Sequence, residues 1–284
     1  MYDSIIDMLS AEGLDLHGIE ITQNGETVLK YIYDGDIRYP VYSVTKSVTS
    51  AAFSLACDDG LLSADTPLSE FLEKRADMPK AFKELPFSRF LTMTAGRYPF
   101  RPEGDDWLEY IFSLGIDYTD SAYCYSNIPA YLVGRAVENA VGGDLIKYLN
   151  KRLFEPLEIP SPKYALCPQG HFYGATGMEL SVHELTKLGQ LYLNGGVYAG
   201  ERIISEQAVR ETITPRLDTG FGDCYGYFFR IGKDHYSMVG KWGQRCIVYP
   251  ERKLIVSYLS HQPERSDELY RKIRDQISNH SNHI

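Results

Sequence analysis

Paired cysteines are the first thing this 284-residue chain lacks. It has five (Cys57, Cys124, Cys167, Cys224, Cys246), odd in number, scattered, and with no C-x-x-C pair. That argues against a disulfide framework or a thiolate zinc site and fits reduced thiols in a cytosol. Long apolar runs are missing too, and none approaches the length of a membrane span. The N-terminal stretch "MYDSIIDMLSAEGLDLHG" carries acids where a signal peptide needs positive charge. A cytoplasmic location without a membrane span is therefore expected. Basic charge is in deficit, with 29 Lys+Arg against 38 Asp+Glu and a formal net charge of −9. A phosphate backbone needs a basic face, so nucleic acid is excluded as a partner. The seven histidines, including those of the tail "NHSNHI", show no ligand spacing such as H-E-x-x-H. No metal and no cofactor are expected.

What is present is a globular composition, 44% hydrophobic, with tyrosine conspicuous at 22 residues. The length suits one large domain or two closely packed subdomains. A helix over about 2–12 precedes "HGIEITQ", "NG" and "ETVLKYIY", a hairpin signal because both turn positions want positive φ. From 43 to about 200 the punctuation is helical. Asp65 and Pro67 mark one start, Asn127 and Pro129 another, and Asp144 a third. Ser181 and Glu184 form a capping box before a run ending at Gly195-Gly196. Strands return in "CYGYFFRIG", "HYSMV", "QRCIVYP" and "KLIVSYLS". Ser266 then caps a final amphipathic helix. This order predicts α+β with an antiparallel sheet assembled from both chain ends.

Two catalytic spacings overlap in "YPVYSVTKSVTSAAFSLACDDG" (39–60), and both end on Lys46. Tyr42 and Lys46 make Y-x-x-x-K, the pair of short-chain dehydrogenases. Such an enzyme needs a Gly-rich turn under the dinucleotide, and the 41 residues before Tyr42 contain none. Ser43 and Lys46 make S-x-x-K. Small and apolar residues at 44, 48, 51, 52, 55 and 56 form a helical stripe, so Ser43 starts a helix and Lys46 follows one turn later. Free N–H groups at that helix end favour an oxyanion beside Ser43, and burial lowers Lys46 toward a general base.

Two distant segments supply the rest of such a site. In "SAYCYSNIPAYLVG", Tyr125 precedes a helix that Asn127 caps. Either Lys46 or the Tyr125 phenolate removes the Ser43 proton, and Tyr125 returns one to the leaving group. In "MVGKWGQRCIVYPERKLIV", Lys241-Trp242-Gly243 precedes a strand. There Lys241 supplies charge, and the Gln244 N–H joins that of Ser43 in an oxyanion hole. Cys124 is a loop filler or a second thiol.

In order, S-x-x-K, Y-x-N and K-x-G resemble the serine β-lactamase and penicillin-binding-protein superfamily, in its class C β-lactamase-like branch of esterases and amide hydrolases. "FLTMTAG" (90–96), "YCYSN", "LFEPLEI", "GQLYLNGG" and "GKWGQRCIVYPERKLIV" extend the likeness over nearly the whole chain. The resemblance implies a β-lactamase/transpeptidase-like fold: a five-stranded antiparallel sheet flanked by helices, with a mostly helical insertion. Residues 1–55 and 200–284 would form the α/β subdomain and 56–199 the helical one, with the active site between them. It also implies Ser43 as nucleophile, Lys46 as base and Tyr125 as proton shuttle. Asn127, Lys241, Trp242, Gly243 and Gln244 would contact a small ester, amide or β-lactam-like substrate.

Three departures point away from a dedicated β-lactamase. Trp242 stands where a hydroxyl usually meets the substrate carboxylate, so an uncharged group is expected beside it. The chain is short for its branch, and no export signal is visible. Tyr98, Phe100, Trp107, Tyr123, Phe172 and Tyr173 are candidate aromatic walls. The rival reading is a catalytically silent ligand-binding module on the same fold.

Overall fold

The computed structural model describes Tyr2 and residues 4–281; the end of the "NHSNHI" tail lies outside the described residues. Helix α1 (Ser4–Ala11) leads into strands β1 (Leu16–Gln23) and β2 (Glu26–Ile32). Asn24 and Gly25 between them both have positive φ, as the hairpin signal requires. A short strand, β3 (Tyr39–Pro40), precedes a 3-10 turn at Tyr42–Val44 and then α2 (Thr45–Asp58). The segment that Asp65 and Pro67 mark as a helix start makes only a 3-10 turn at Leu68–Phe71, held between Pro67 and a chain that turns back at Leu72. Then come α3 (Phe87–Leu91), α4 (Trp107–Ser113), α5 (Ile128–Ala140) and α6 (Leu145–Leu149). Strand β4 (Glu179–Leu180) pairs with β3, and α7 (Val182–Leu193) starts from a complete Ser181–Glu184 capping box. A small ribbon, β5 (Val197–Tyr198) and β6 (Glu201–Arg202), precedes α8 (Glu206–Ile213). Strands β7 (Leu217–Asp218), β8 (Cys224–Tyr225), β9 (Arg230–Ile231), β10 (Tyr236–Gly240), β11 (Gln244–Tyr249) and β12 (Leu254–Ser260) follow, and α9 (Ser266–Ser281) ends the described chain.

The main sheet runs β2-β1-β12-β11-β10-β9-β8-β7, with every pairing antiparallel. Among the described residues it has eight strands, not the expected five. The first five are the long ones. The others are two-residue strands that "CYGYFFRIG" and the residues before it add to the β10 edge, because Phe228 at positive φ turns the chain between β8 and β9. Strand β12 lies between the chain's two ends. Its alternation sends Leu254, Val256 and Tyr258 to one core and Ile255 and Leu259 to the other. The first core is closed by Ile5 and Leu9 of α1 and by Leu269, Ile273 and Ile277 of α9. The second lies under α7 and continues through α2 and α5 into the helical half. Among the described residues no helix is long and apolar enough to cross a membrane.

Candidate active site

Ser43 sits in the 3-10 turn that feeds α2, directly after Tyr42, whose φ is +47°. That left-handed conformation is costly for a tyrosine, and surrounding bonds hold it. The Thr45 hydroxyl donates to the Tyr42 carbonyl (2.7 Å), and the Val41 N–H donates to the Met178 carbonyl (2.9 Å). Strand β10 presses on the same turn, and a Cβ on Gly240 would collide with the Val41 carbonyl. Glycine is required there by close approach of two backbones.

Lys46 is one turn into the helix and almost wholly buried, 1% exposed. Its Nζ lies 3.1 Å from Ser43 Oγ, 2.7 Å from Asn127 Oδ1 and 2.9 Å from the Ala175 carbonyl. The Ala175 carbonyl gets there because the chain at Gly174 threads between α2 and α5, its own carbonyl bound by the Thr49 hydroxyl (2.7 Å). With no acid in this shell, burial lowers the Lys46 pKa from 10.5 to about 7. A neutral amine has two N–H groups and one lone pair. Asn127 and Ala175 take the two N–H groups, which leaves the lone pair for Ser43.

Asn127 occupies the position before α5, but its side chain makes no capping bond. Ser126 takes that role, its Oγ accepting from the Ile128 N–H (3.0 Å). Asn127 instead donates from Nδ2 to the Tyr173 hydroxyl (3.1 Å), which fixes its Oδ1 on Lys46. Tyr125 stands over the cleft, its ring centroid 4.9 Å from Lys46 Nζ. Burial raises its phenol pKa, offset in part by a hydrogen bond with Ser43 and by the charge of Arg230. Ser43, Lys46, Tyr125 and Asn127 thus converge as the sequence predicts.

The side chains of the K-x-G segment do not line the same cavity. Lys241, Trp242 and Gly243 form the turn between β10 and β11, and the cavity holding Ser43 and Tyr125 is lined instead by Tyr225, Phe228, Arg230 and Val239. The Lys241 ammonium lies 4.2 Å from the Trp242 ring centroid, and Trp242 packs edge-on against Tyr42 (5.0 Å) and His261 (4.6 Å). Gly243 is required by the close approach of Ser260. The Gln244 side chain is spent inside the sheet, donating to the Ser260 carbonyl (2.6 Å) and accepting from the Ser260 N–H (3.2 Å). It lines a different cleft with His17, Tyr39 and His261, on the other side of Tyr42.

Backbone parity explains the displacement. The Gly232 N–H donates to the His235 carbonyl (2.8 Å), so that pair closes the β9–β10 turn. Alternation then aims the backbone groups of Ser237 and Val239 away from β11, and those of Met238 and Gly240 toward it. Gln244, opposite Gly240, directs its N–H across the hairpin. Strand β9 ends its pairing at Ser237, so the β10 edge beyond it lies open toward Ser43.

Of the expected aromatic walls, Tyr123 packs on Tyr225 (5.2 Å), and Trp107 backs Tyr173 (4.7 Å) behind Asn127. Tyr98 is buried near Tyr118, Phe172 packs on Tyr164, and Phe100 is exposed. Cys124 lies in the loop wall, its Sγ 3.9 Å from the Tyr98 carbonyl. Sequence reading missed Tyr225, Phe228 and Arg230. The only hint was the aromatic run "CYGYFFRIG", which reads equally as core.

A model of the Beta-lactamase family matches residues 16–278. The chain belongs to the beta-lactamase family. Within it, the protein is an enzyme of the serine-hydrolase type. It is 23% identical over 283 residues to a 6-aminohexanoate-dimer hydrolase of Paenarthrobacter ureafaciens, covering 86% of this chain and 72% of that one. A class C beta-lactamase shares the fold with a TM-score of 0.78 at 16% identity, over 98% of this chain and 95% of that one. A penicillin binding protein from Bacillus halodurans shares it with a TM-score of 0.75 at 17% identity, over 95% and 99%. These likenesses confirm the β-lactamase/transpeptidase-like fold expected from the sequence.

Proposed function

We propose that this family member hydrolyses a small ester or amide through an acyl-enzyme on Ser43. The observation that carries the reading is the Lys46 amine, buried, held by two fixed acceptors and facing Ser43 Oγ at 3.1 Å. Lys46, neutral above about pH 7, takes the Ser43 proton as Oγ bonds to the substrate carbonyl carbon. Burial keeps Tyr125 protonated, so the lysine and not a phenolate is the base. When the tetrahedral intermediate collapses, the bond to the leaving group breaks. Lys46 then returns the proton to that group through the Tyr125 hydroxyl. Water next gives a proton up the same route and attacks the acyl carbon. The Oγ–carbon bond breaks, Ser43 regains its hydrogen, and the acid leaves.

For the oxyanion we propose the N–H groups of Ser43 and of Lys241, the next residue on the open β10 edge, in place of that of Gln244. Asn127 acts chiefly on Lys46. The hydrolase relative supports the reaction class, since its name states hydrolysis of a 6-aminohexanoate dimer. The five free cysteines support a cytosolic setting. A fluorophosphonate probe should label the wild type and not Ser43→Ala, and short 4-nitrophenyl esters should turn over. Labelling that survives the substitution would sink the reading. A folded wild type that is never labelled, yet binds a small molecule saturably, would favour the silent module.

A further inference from the structure

We infer that Arg230 is a substrate-recognition residue, reading a carboxylate carried a few bonds from the scissile carbonyl. This rests on the reading of Ser43 as nucleophile. Among the residues lining the Ser43 cavity, Arg230 is the one with a permanent charge, and no acid is among them. The Lys241 ammonium is committed to the Trp242 ring.

Arg230 is built into place. Its Nε–H donates to Asp223 Oδ2 (2.5 Å), while the Thr219 hydroxyl donates to Asp223 Oδ1 (2.5 Å). Asp223 thereby fixes the guanidinium through Nε alone. The Tyr123 hydroxyl also interacts with the guanidinium, and the N–H groups that Asp223 and Tyr123 do not take are left for a carboxylate in the cavity that Arg230 lines. The side chain keeps 31% of its exposure, so it is neither sealed in the core nor free in water. Its charge is felt by Tyr123, Tyr125 and Tyr225, which places the guanidinium within the catalytic wall.

The cavity holds about 120 Å³, closed by Tyr225, Phe228 and Val239. At roughly 30 Å³ per water, that is room for a short-chain carboxylate. Trp242, which by sequence argues for an uncharged group, does not line this cavity. The substrate class is therefore a short acid-bearing ester or amide.

Calorimetry of butyrate and butyramide on Ser43→Ala tests the recognition without catalysis. Butyrate should bind at least about tenfold more tightly, the preference of a charge-assisted pair over its neutral isostere. Arg230→Gln in the same background should abolish the difference and Arg230→Lys should restore part of it. In the otherwise wild-type enzyme, Arg230→Gln should lower turnover of neutral 4-nitrophenyl acetate by a clearly smaller factor than it lowers butyrate binding. Equal binding of the two ligands would overturn the proposal. So would a loss of acetate turnover as large as the loss of butyrate binding, which marks a positioning role for Tyr125. Should Arg230→Gln fail to fold, the butyrate preference of the Ser43→Ala protein decides alone. If the wild type neither labels nor turns over acetate, the hydrolase reading fails, while the anion preference still reports on Arg230.

Discussion

Two lysines follow from the sequence as candidate site residues, Lys46 as a base beside Ser43 and Lys241 as a charged substrate contact. Lys46 lies on the helix side at 1% exposure, its amine within hydrogen-bond distance of a hydroxyl, an amide oxygen and a carbonyl. Lys241 lies on the strand side, exposed at a turn, its ammonium over an indole ring 4.2 Å away. Burial without a counter-ion lowers the pKa of the first and suits it to the proposed role of base. Exposure beside Trp242 leaves the second a surface cation, and the proposal uses its backbone N–H rather than its charge. The difference teaches that a catalytic lysine is defined by what it cannot reach, water and a carboxylate.

The sharpest way to break that contrast is to remove each amine. Lys46→Met should lower kcat/KM for a 4-nitrophenyl ester by about 10³-fold or more, the scale of losing a general base. Lys241→Met should cost less than about threefold, because an exposed ring contact is worth little. Equal losses would erase the distinction. A stability measurement sharpens it further. The Lys46 pKa in the fold, about 7, lies below the unfolded 10.5, so the unfolded chain binds the extra proton between them. Wild-type stability relative to Lys46→Met should therefore rise with pH through that window and fall as pH drops toward 7. Paired urea titrations across the window measure it.

Asn127 is next in size. Asn127→Ala removes one of the two acceptors that orient the amine and should cost about 10- to 100-fold. Asn127→Asp should instead place a charge on Lys46 and move the rising limb of the kcat/KM pH profile above about 7. An unmoved limb would show that Lys46 is not the titrating base. Gly240→Ala, which pushes β10 off the Val41 carbonyl, should destabilise by about 1–3 kcal/mol and lower the melting temperature. Trp242→Phe closes the series with less than about threefold in kcat/KM, the smallest effect, since its ring faces Tyr42 and His261.

Much of this was legible in the chain. The Asn24-Gly25 hairpin, the Ser181–Glu184 capping box and the alternation of "KLIVSYLS" are local signals, and local physics honours them. The stretch "CYGYFFRIG" was legible as strand, but its break into β8 and β9 and the addition of β7 were not, because two-residue pairings carry no periodicity. Asn127 was legible as a helix boundary but not as the partner of a lysine 81 residues away. Tyr225, Phe228 and Arg230 read as core or surface until the sheet brought them beside Tyr125.

The sequence by itself determined the pairing of Ser43 with Lys46, because residues three apart on a helix are neighbours wherever that helix lies. It determined the sheet from both chain ends as well, through period-2 alternation. Only the tertiary structure decided which groups complete the site. The parity of β10, set by a turn at Gly232–His235, turns Gln244 away and leaves the open edge to Val239 and Lys241. Burial decided the chemistry of Lys46, since desolvation belongs to the assembled core and to no residue in it.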